Sequence, residues 1–176
     1  MIIAVSGLTG SGKNTLGELL AKKLDYALVC PTFKDLAAKE GISLMEFQKK
    51  AEKDHNIDKK FDAILKEMVV KTDGNCVVTT WLGPWIVDAD FRIKISAPLE
   101  IRAVRVANRD KMTVAQATKH VKERDEENRQ RYLKVYGIDI YDESKFDAVL
   151  DNSDKTPEQI LDMALIVIKT KSSRIK

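Results

Sequence analysis

The chain has little of what many secreted, metal-dependent and hydrolytic proteins rely on. Only two cysteines, Cys30 and Cys76, occur in 176 residues, too few for a disulfide framework. Both sit in apolar runs, Leu28-Val29-Cys30 and Cys76-Val77-Val78, which read as reduced core thiols of a cytoplasmic protein. The only two histidines, His55 and His120, lie in polar contexts without cysteine or histidine partners at metal spacing, so a zinc site gains no support. With no Ser-His-Asp or Cys-His constellation, hydrolysis through a covalent intermediate has no candidate. No stretch approaches the ~20 apolar residues of a membrane-spanning helix. The opening Met1-Ile2-Ile3-Ala4-Val5 has no basic segment before it and reads as a strand rather than a signal peptide. There is no long basic block either: a formal net charge of +3 comes from 30 basic and 27 acidic side chains spread along the chain. That balance offers nucleic-acid binding little support, although a small basic excess suits a phosphate-rich ligand. The expectation is a soluble cytoplasmic protein with no membrane or nucleic-acid partner. It is expected to be a monomer, because no apolar helix face stands out.

What is present describes one folded unit. Hydrophobic residues make up 44% and charged residues 32%, the balance of an ordinary globular chain, and the length suits a single domain over 1–176. Apolar runs at Ile2–Val5, Tyr26–Cys30, Cys76–Thr80, Phe91–Ser96 and Ala148–Asp151 predict five strands. Between them lie helical patterns. Leu16, Leu19, Leu20 and Leu24 recur at helical spacing, and Phe33–Lys39 ends at Gly41. Ser43-Leu44-Met45-Glu46 forms a capping box, and Asn56 is placed to cap a helix burying Ile57, Phe61, Ile64, Leu65 and Met68. Thr113-Val114-Ala115-Gln116 opens a long charged helix that Gly137 ends, and Thr156-Pro157-Glu158-Gln159 opens the C-terminal helix. Strands alternating with helices predict an α/β fold with a parallel sheet covered on both faces.

The sharpest motif is Gly7-Leu8-Thr9-Gly10-Ser11-Gly12-Lys13-Asn14-Thr15, set between a predicted strand and a predicted helix. Phosphate oxygens need donors. Glycines let the backbone turn tightly enough to aim its N–H groups at them, and a helix N-terminus adds further unpaired N–H groups and a favourable dipole. Lys13 can then bridge the β- and γ-phosphates of ATP. The usual hydroxyl directly after the lysine is replaced by Asn14, which makes Thr15 the candidate for the magnesium shell. This is a P-loop, and it predicts nucleotide binding.

The lysine followed one residue later by threonine resembles the nucleoside monophosphate kinases. More specifically, the chain is similar to the archaeal-type cytidylate kinases over nearly its whole length. The carriers are Phe33-Lys34-Asp35-Leu36-Ala37, Gly41-Ile42-Ser43-Leu44-Met45-Glu46-Phe47, Leu82-Gly83-Pro84-Trp85, Ala97-Pro98-Leu99-Glu100-Ile101-Arg102 and Tyr136-Gly137-Ile138-Asp139. The resemblance implies a P-loop NTPase fold with a five-stranded parallel sheet, a mobile monophosphate-binding segment at about 31–72 and a lid at about 110–137. It implies ATP and Mg²⁺ as cofactors and places Arg105 and Arg109 near the ATP base and phosphates. Arg124-Asp125 and Arg131 match the lid pattern Arg-Asp-x-x-Asp-x-x-Arg, except that Asn128 stands at the second aspartate. On that basis Lys13, Arg124 and Arg131 are the catalytic candidates and Asp125 a substrate-binding one. The bland alternative for these arginines is local pairing on a solvated helix face.

The acceptor side departs from the family. Where a Ser-x-Gly turn and then an arginine are expected, the chain has Cys30-Pro31-Thr32-Phe33-Lys34. Where an acidic residue and an arginine precede Leu-x-Gly, it has Thr80 and Trp81. Lys34 can hold a phosphate as a point charge but not as a fork. Trp81 can stack on a base or pack in the core, and the sequence leaves both open. Asp88 and Asp90 read as turn residues, with a place near magnesium as the alternative. The expected function is ATP-dependent phosphorylation of a nucleoside monophosphate, CMP or dCMP first. A kinase with another acceptor, or a nucleotide-binding module without transfer, is the alternative.

Overall fold

The computed structural model describes residues 1–43, 46, 47, 50, 54 and 56–172. Five strands are present: β1 (Ile2–Ser6), β2 (Ala27–Val29), β3 (Cys76–Thr79), β4 (Phe91–Ser96) and β5 (Ala148–Asp151). The described helices are α1 (Lys13–Leu24), α2 (Phe33–Lys39), α3 (Asn56–Val70), α4 (Gly83–Ile86), α5 (Leu99–Asp110), α6 (Val114–Tyr136) and α7 (Pro157–Ser172). The strands form one sheet in the order β2-β3-β1-β4-β5, and every pairing is parallel. Because β1 is central, its C-terminal end, where the P-loop begins, lies between β3 and β4.

Strand alternation sorts the core into two layers. Ile3 and Val5 of β1, Val77 of β3 and Ile93 and Ile95 of β4 pack with Leu16 and Leu20 of α1 and Ile160 and Ala164 of α7. On the other face, Ala4, Val29 and Val78 meet Leu65 and Val69 of α3. A third cluster, Ala103, Val106, Ala117 and Val121, joins α5 to α6. Around Leu36, Ala37 and Phe47, a fourth packs α2 against Phe61 and Ile64 of α3. The segment after β2 therefore carries a small core of its own.

The helix boundaries follow from their caps. Thr113 and Gln116 exchange reciprocal capping bonds at the start of α6, and Gly137 ends that helix with φ 68°. Thr156 and Gln159 do the same for α7, and Ser43 with Glu46 before the segment that lies mostly outside the described residues. At α3 the cap differs from expectation: Asp54, not Asn56, accepts the terminal N–H, from Asn56 itself at 2.9 Å. Asp90 accepts the Ile2 N–H at 2.6 Å, which places it at the strand N-termini, the end of the sheet opposite the P-loop. Asp88 and Asp90 are thus turn residues, as expected. Lys94 is buried on β4, and its ammonium reaches Glu143 at 3.2 Å and the carbonyls of Ile140 and Tyr141 at 3.4 Å. It anchors the loop after α6.

Gly17 has no side chain because β3 leaves no room for one. A Cβ there would lie 1.9 Å from Thr79 Cγ2. Gly17→Ala is accordingly expected to force α1 off the sheet and destabilise the protein by about 1–3 kcal/mol, despite alanine's better helix propensity. A urea unfolding curve checks this; an unchanged or higher midpoint contradicts the packing described.

Candidate active site

The phosphate cradle starts from a helix left open. The helices α2 and α6 begin with complete capping boxes, yet α1 has no side-chain cap and no acidic residue in its first turn. Its first N–H groups therefore remain available to an anion, with the helix dipole in support. Gly10 and Gly12 adopt left-handed φ values of 78° and 98°. Both are also hemmed in: a Cβ would lie 2.7 Å from the Arg102 carbonyl at Gly10 and 2.7 Å from Asn152 Nδ2 at Gly12.

The loop is held from behind. Arg102 Nη1 donates to the Thr9 carbonyl at 2.9 Å and to Asp125 Oδ2 at 2.6 Å, and the Thr9 N–H donates to Asp125 Oδ1 at 3.0 Å. Arg102 Nε also donates to the Ala97 carbonyl at 3.0 Å. Asn152 Nδ2 donates to the Ser11 carbonyl at 2.8 Å, and Arg105 Nη2 donates to the Asn152 carbonyl at 2.5 Å. Asp125 thus lies 3% exposed beneath the loop, not in the acceptor cleft where a substrate-binding role would need it. The reason is charge: Arg102, 7% exposed, needs a buried counter-ion at that position.

Lys13 begins α1 and is partly buried. Its ammonium sits 5.1 Å from the centroid of the Trp81 ring. Burial, and after it the positive charge of Arg124, pulls the lysine pKa down from 10.5 to about 8; Cys30 and Asp125 act in the opposite sense. Trp81 is also only partly buried, and its ring lies 6.5 Å from that of Tyr132 on α6. The ring thus stands beside the lysine ammonium and belongs to none of the core clusters described above. Cys76 is fully buried as expected, whereas Cys30 is half-buried, with its thiol donating to the Thr79 carbonyl at 3.4 Å.

A cavity of about 480 Å³ opens over the P-loop. Gly10, Gly12, Lys13, Asn14 and Thr15 line one side, and Arg105 and Arg109 of α5 the other. Asn152 and Lys155, from the loop after β5, close it. The cavity thus gathers the P-loop residues and both α5 arginines named from sequence; Gly7, Leu8, Thr9 and Ser11 build the loop's outer turn, where the Ser11 N–H donates to the Leu8 carbonyl at 3.1 Å. Arg124, on α6, is exposed and makes no ion pair among the described residues, while its charge is felt at Lys13. Arg131 turns the other way: both its Nε and Nη2 donate to Asp58 of α3. Lys34 lies on α2, with its side chain outside the described part of the structure. Thr80 is buried, and its hydroxyl has no partner among the described residues.

The residues that sequence reasoning passed over are Asp58, Asn152 and Lys155. Asn152 and Lys155 follow the last strand without any motif, and only parallel pairing of β5 with β4 brings them to the P-loop. Asp58 stands in the first turn of α3, where an acidic residue by itself signals only helix-dipole compensation.

The likeness to known proteins is broad. The cytidylate kinase-like family matches residues 2–154. Cytidylate kinase from Sulfurisphaera tokodaii is 39% identical over 164 residues, covering 91% of each chain. Cytidylate kinase from Pyrobaculum islandicum is 46% identical over 157 residues, covering 87% of this chain and 84% of its own. Among solved structures, a protein from Eubacterium ventriosum superposes with a TM-score of 0.72 at 17% identity, covering 96% of this chain and 98% of its own. Shikimate kinase from Acinetobacter baumannii superposes with a TM-score of 0.63 at 15% identity, covering 97% and 93%. The two structural likenesses speak for the P-loop kinase fold alone. Joined to an uncapped helix start, a lysine beside it and two arginines of α5 across the cavity, the sequence likeness is decisive: this chain belongs to the cytidylate kinase-like family.

Proposed function

We propose that the protein transfers the γ-phosphoryl group of ATP to a nucleoside monophosphate, with CMP or dCMP as the acceptor. The observation that carries this reading is the open N-terminus of α1 with Lys13 beside it, in a chain whose relatives are named cytidylate kinases. ATP would lie in the cavity with its phosphates on residues 10–15 and its base between Arg105, Arg109 and the Asn152–Lys155 loop. Residues 31–72 would form the acceptor flap and 110–137 the lid.

The acceptor phosphate is already anionic at neutral pH, so it attacks the γ-phosphorus without a general base. What the protein supplies is position and charge. Lys13 and the α1 N–H groups hold the oxygens of the transferring group, and Arg124 adds a second cation from α6. Trp81 shields the lysine on the acceptor side and keeps water from the γ-phosphate. Thr15 lines the cavity one turn from the loop, and no cluster of three potential metal-ligating side chains occurs among the described residues. The Thr15 hydroxyl would join the shell of a magnesium ion, whose charge would offset that of the phosphates.

A coupled ADP-release assay with ATP, magnesium and CMP, dCMP, UMP, AMP or cytidine tests the reading. Fast turnover with CMP or dCMP is expected. Silence across the monophosphates with ATP still bound, or better turnover of cytidine than of CMP, would remove it.

A further inference from the structure

No arginine precedes Arg92 in the chain, so the whole acceptor flap carries no guanidinium. A fork-like grip on an acceptor phosphate must come from elsewhere, and most arginines of the described chain are committed. Arg92 donates to the Pro84 carbonyl, Arg102 lies under the P-loop, Arg105 and Arg109 line the ATP cavity, and Arg129 pairs with Asp139. Arg124, exposed and without an ion pair among the described residues, is taken up by the transferring group in the function proposed above. Arg131 remains for the acceptor side, and it is not loose.

Asp58, 4% exposed, holds the Arg131 guanidinium through both carboxylate oxygens, one of them accepting from Nε at 3.0 Å. The guanidinium carbon also lies 4.8 Å from the centroid of the Phe33 ring. Asp58 stands on α3 and Phe33 on α2, whereas Arg131 belongs to α6. The lid helix therefore lends its arginine to the flap, and the flap decides where it points. Engagement through Nε and Nη2 leaves Nη1 without a bond among the described residues, and a guanidinium held on one edge presents the other to an anion.

We infer that Asp58 is a positioning residue that fixes Arg131 as the flap's guanidinium clamp on the acceptor phosphate. This rests on the function proposed above. It explains how a flap without arginines can grip a phosphate with more than a lysine, and it makes acceptor binding depend on flap and lid meeting. A second link between the same helices supplies a control: the Tyr136 hydroxyl donates to Asp62, one turn along α3, without touching Arg131.

The test compares steady-state constants for CMP and ATP in Asp58→Asn, Asp58→Glu, Arg131→Lys, the Asp58→Asn/Arg131→Lys double variant and Tyr136→Phe. Asp58→Asn is expected to raise the KM for CMP about tenfold or more while the KM for ATP moves less than about twofold. Asp58→Glu should recover part of that loss. In the Arg131→Lys background the Asp58 change should add nothing, since its effect runs through the fork. Tyr136→Phe should leave both constants near wild type. If Tyr136→Phe shifts the CMP constant as far as Asp58→Asn, the seam is merely structural and the inference is overturned. It is equally overturned if Asp58→Asn leaves the constant unchanged or lowers it, as a carboxylate competing with the acceptor would. A wild-type protein that neither binds nor phosphorylates CMP would instead remove the proposed function, and the inference with it.

Discussion

Replacing Lys13 by methionine is expected to abolish transfer and, in the absence of nucleotide, to make the protein harder to unfold. The first effect follows from the charge at the cradle. Losing the one cation at the start of α1 should lower kcat by about three orders of magnitude or more. The second follows from what holding that cation costs an empty site. Burial and Arg124 pull its pKa from 10.5 to about 8, so the charged form is worse off in the folded protein than in the unfolded chain. Methionine keeps the length and removes the charge, although it also loses the contact with the Trp81 ring. The net gain should be about 1–2 kcal/mol, a rise of roughly 3–6 °C in Tm.

The pH dependence has a definite sign. The folded pKa lies below the unfolded value, so between about pH 8 and 10.5 the unfolded state holds more protons at this position and wild-type stability rises with pH. The advantage of Lys13→Met should therefore be full at pH 7 and fade across that window. ATP is expected to reverse the ranking, because phosphates bound at the start of α1 would favour the charged lysine and so stabilise wild type more than the variant. Thermal melts with and without ATP and magnesium, at pH 7 and pH 10, measure all of this. A lower ligand-free Tm for Lys13→Met at pH 7 would show that the lysine stabilises the empty site.

Asp125→Ala should be the most damaging substitution for stability. The carboxylate is the counter-ion of Arg102 and the acceptor of the Thr9 N–H, and both charged partners are nearly inaccessible to water. Truncation leaves a buried guanidinium with two carbonyls and no anion, which costs about 3–5 kcal/mol, or about 10 °C or more in Tm. Because Thr9 belongs to the P-loop, the KM for ATP should rise as well, while the KM for CMP moves less. Replacing Arg102 by methionine in the same chain should restore much of the stability, since the orphaned charge is then gone. If Asp125→Ala instead melts like wild type and raises only the CMP constant, Asp125 is a substrate ligand after all. Denaturant curves of the single and double variants decide between the two.

These outcomes separate what was legible in one dimension from what was not. The periodicity of Leu16, Leu20 and Leu24, the run Ile2–Val5 and the caps at Thr113 and Thr156 are local signals, and each element lies where they place it. The stretch Gly10–Lys13 is local too, because a phosphate cradle is a strand end, a turn and a helix start in succession. So the α/β class, the P-loop and its lysine were readable from residue types and spacing alone. The role of Asp125 was not. Its neighbours in sequence match a lid pattern, but its partners are 23 and 116 positions away and only the packing of α5 and α6 brings them together. Nor could the sequence show that Trp81 stands beside Lys13, across 68 residues of chain. Asp58 and Arg131, 73 positions apart, carry no mutual signal at all.

The physical reason is the same in each case. Secondary structure and a helix-terminal anion site depend on the backbone and on side chains three or four positions apart, so the sequence by itself determined them. Which buried charge neutralises which, and which arginine faces which phosphate, depends on distances between elements that meet only when the sheet closes. That pairing was decided by the tertiary structure, because a charge taken out of water must find its partner wherever the fold puts one.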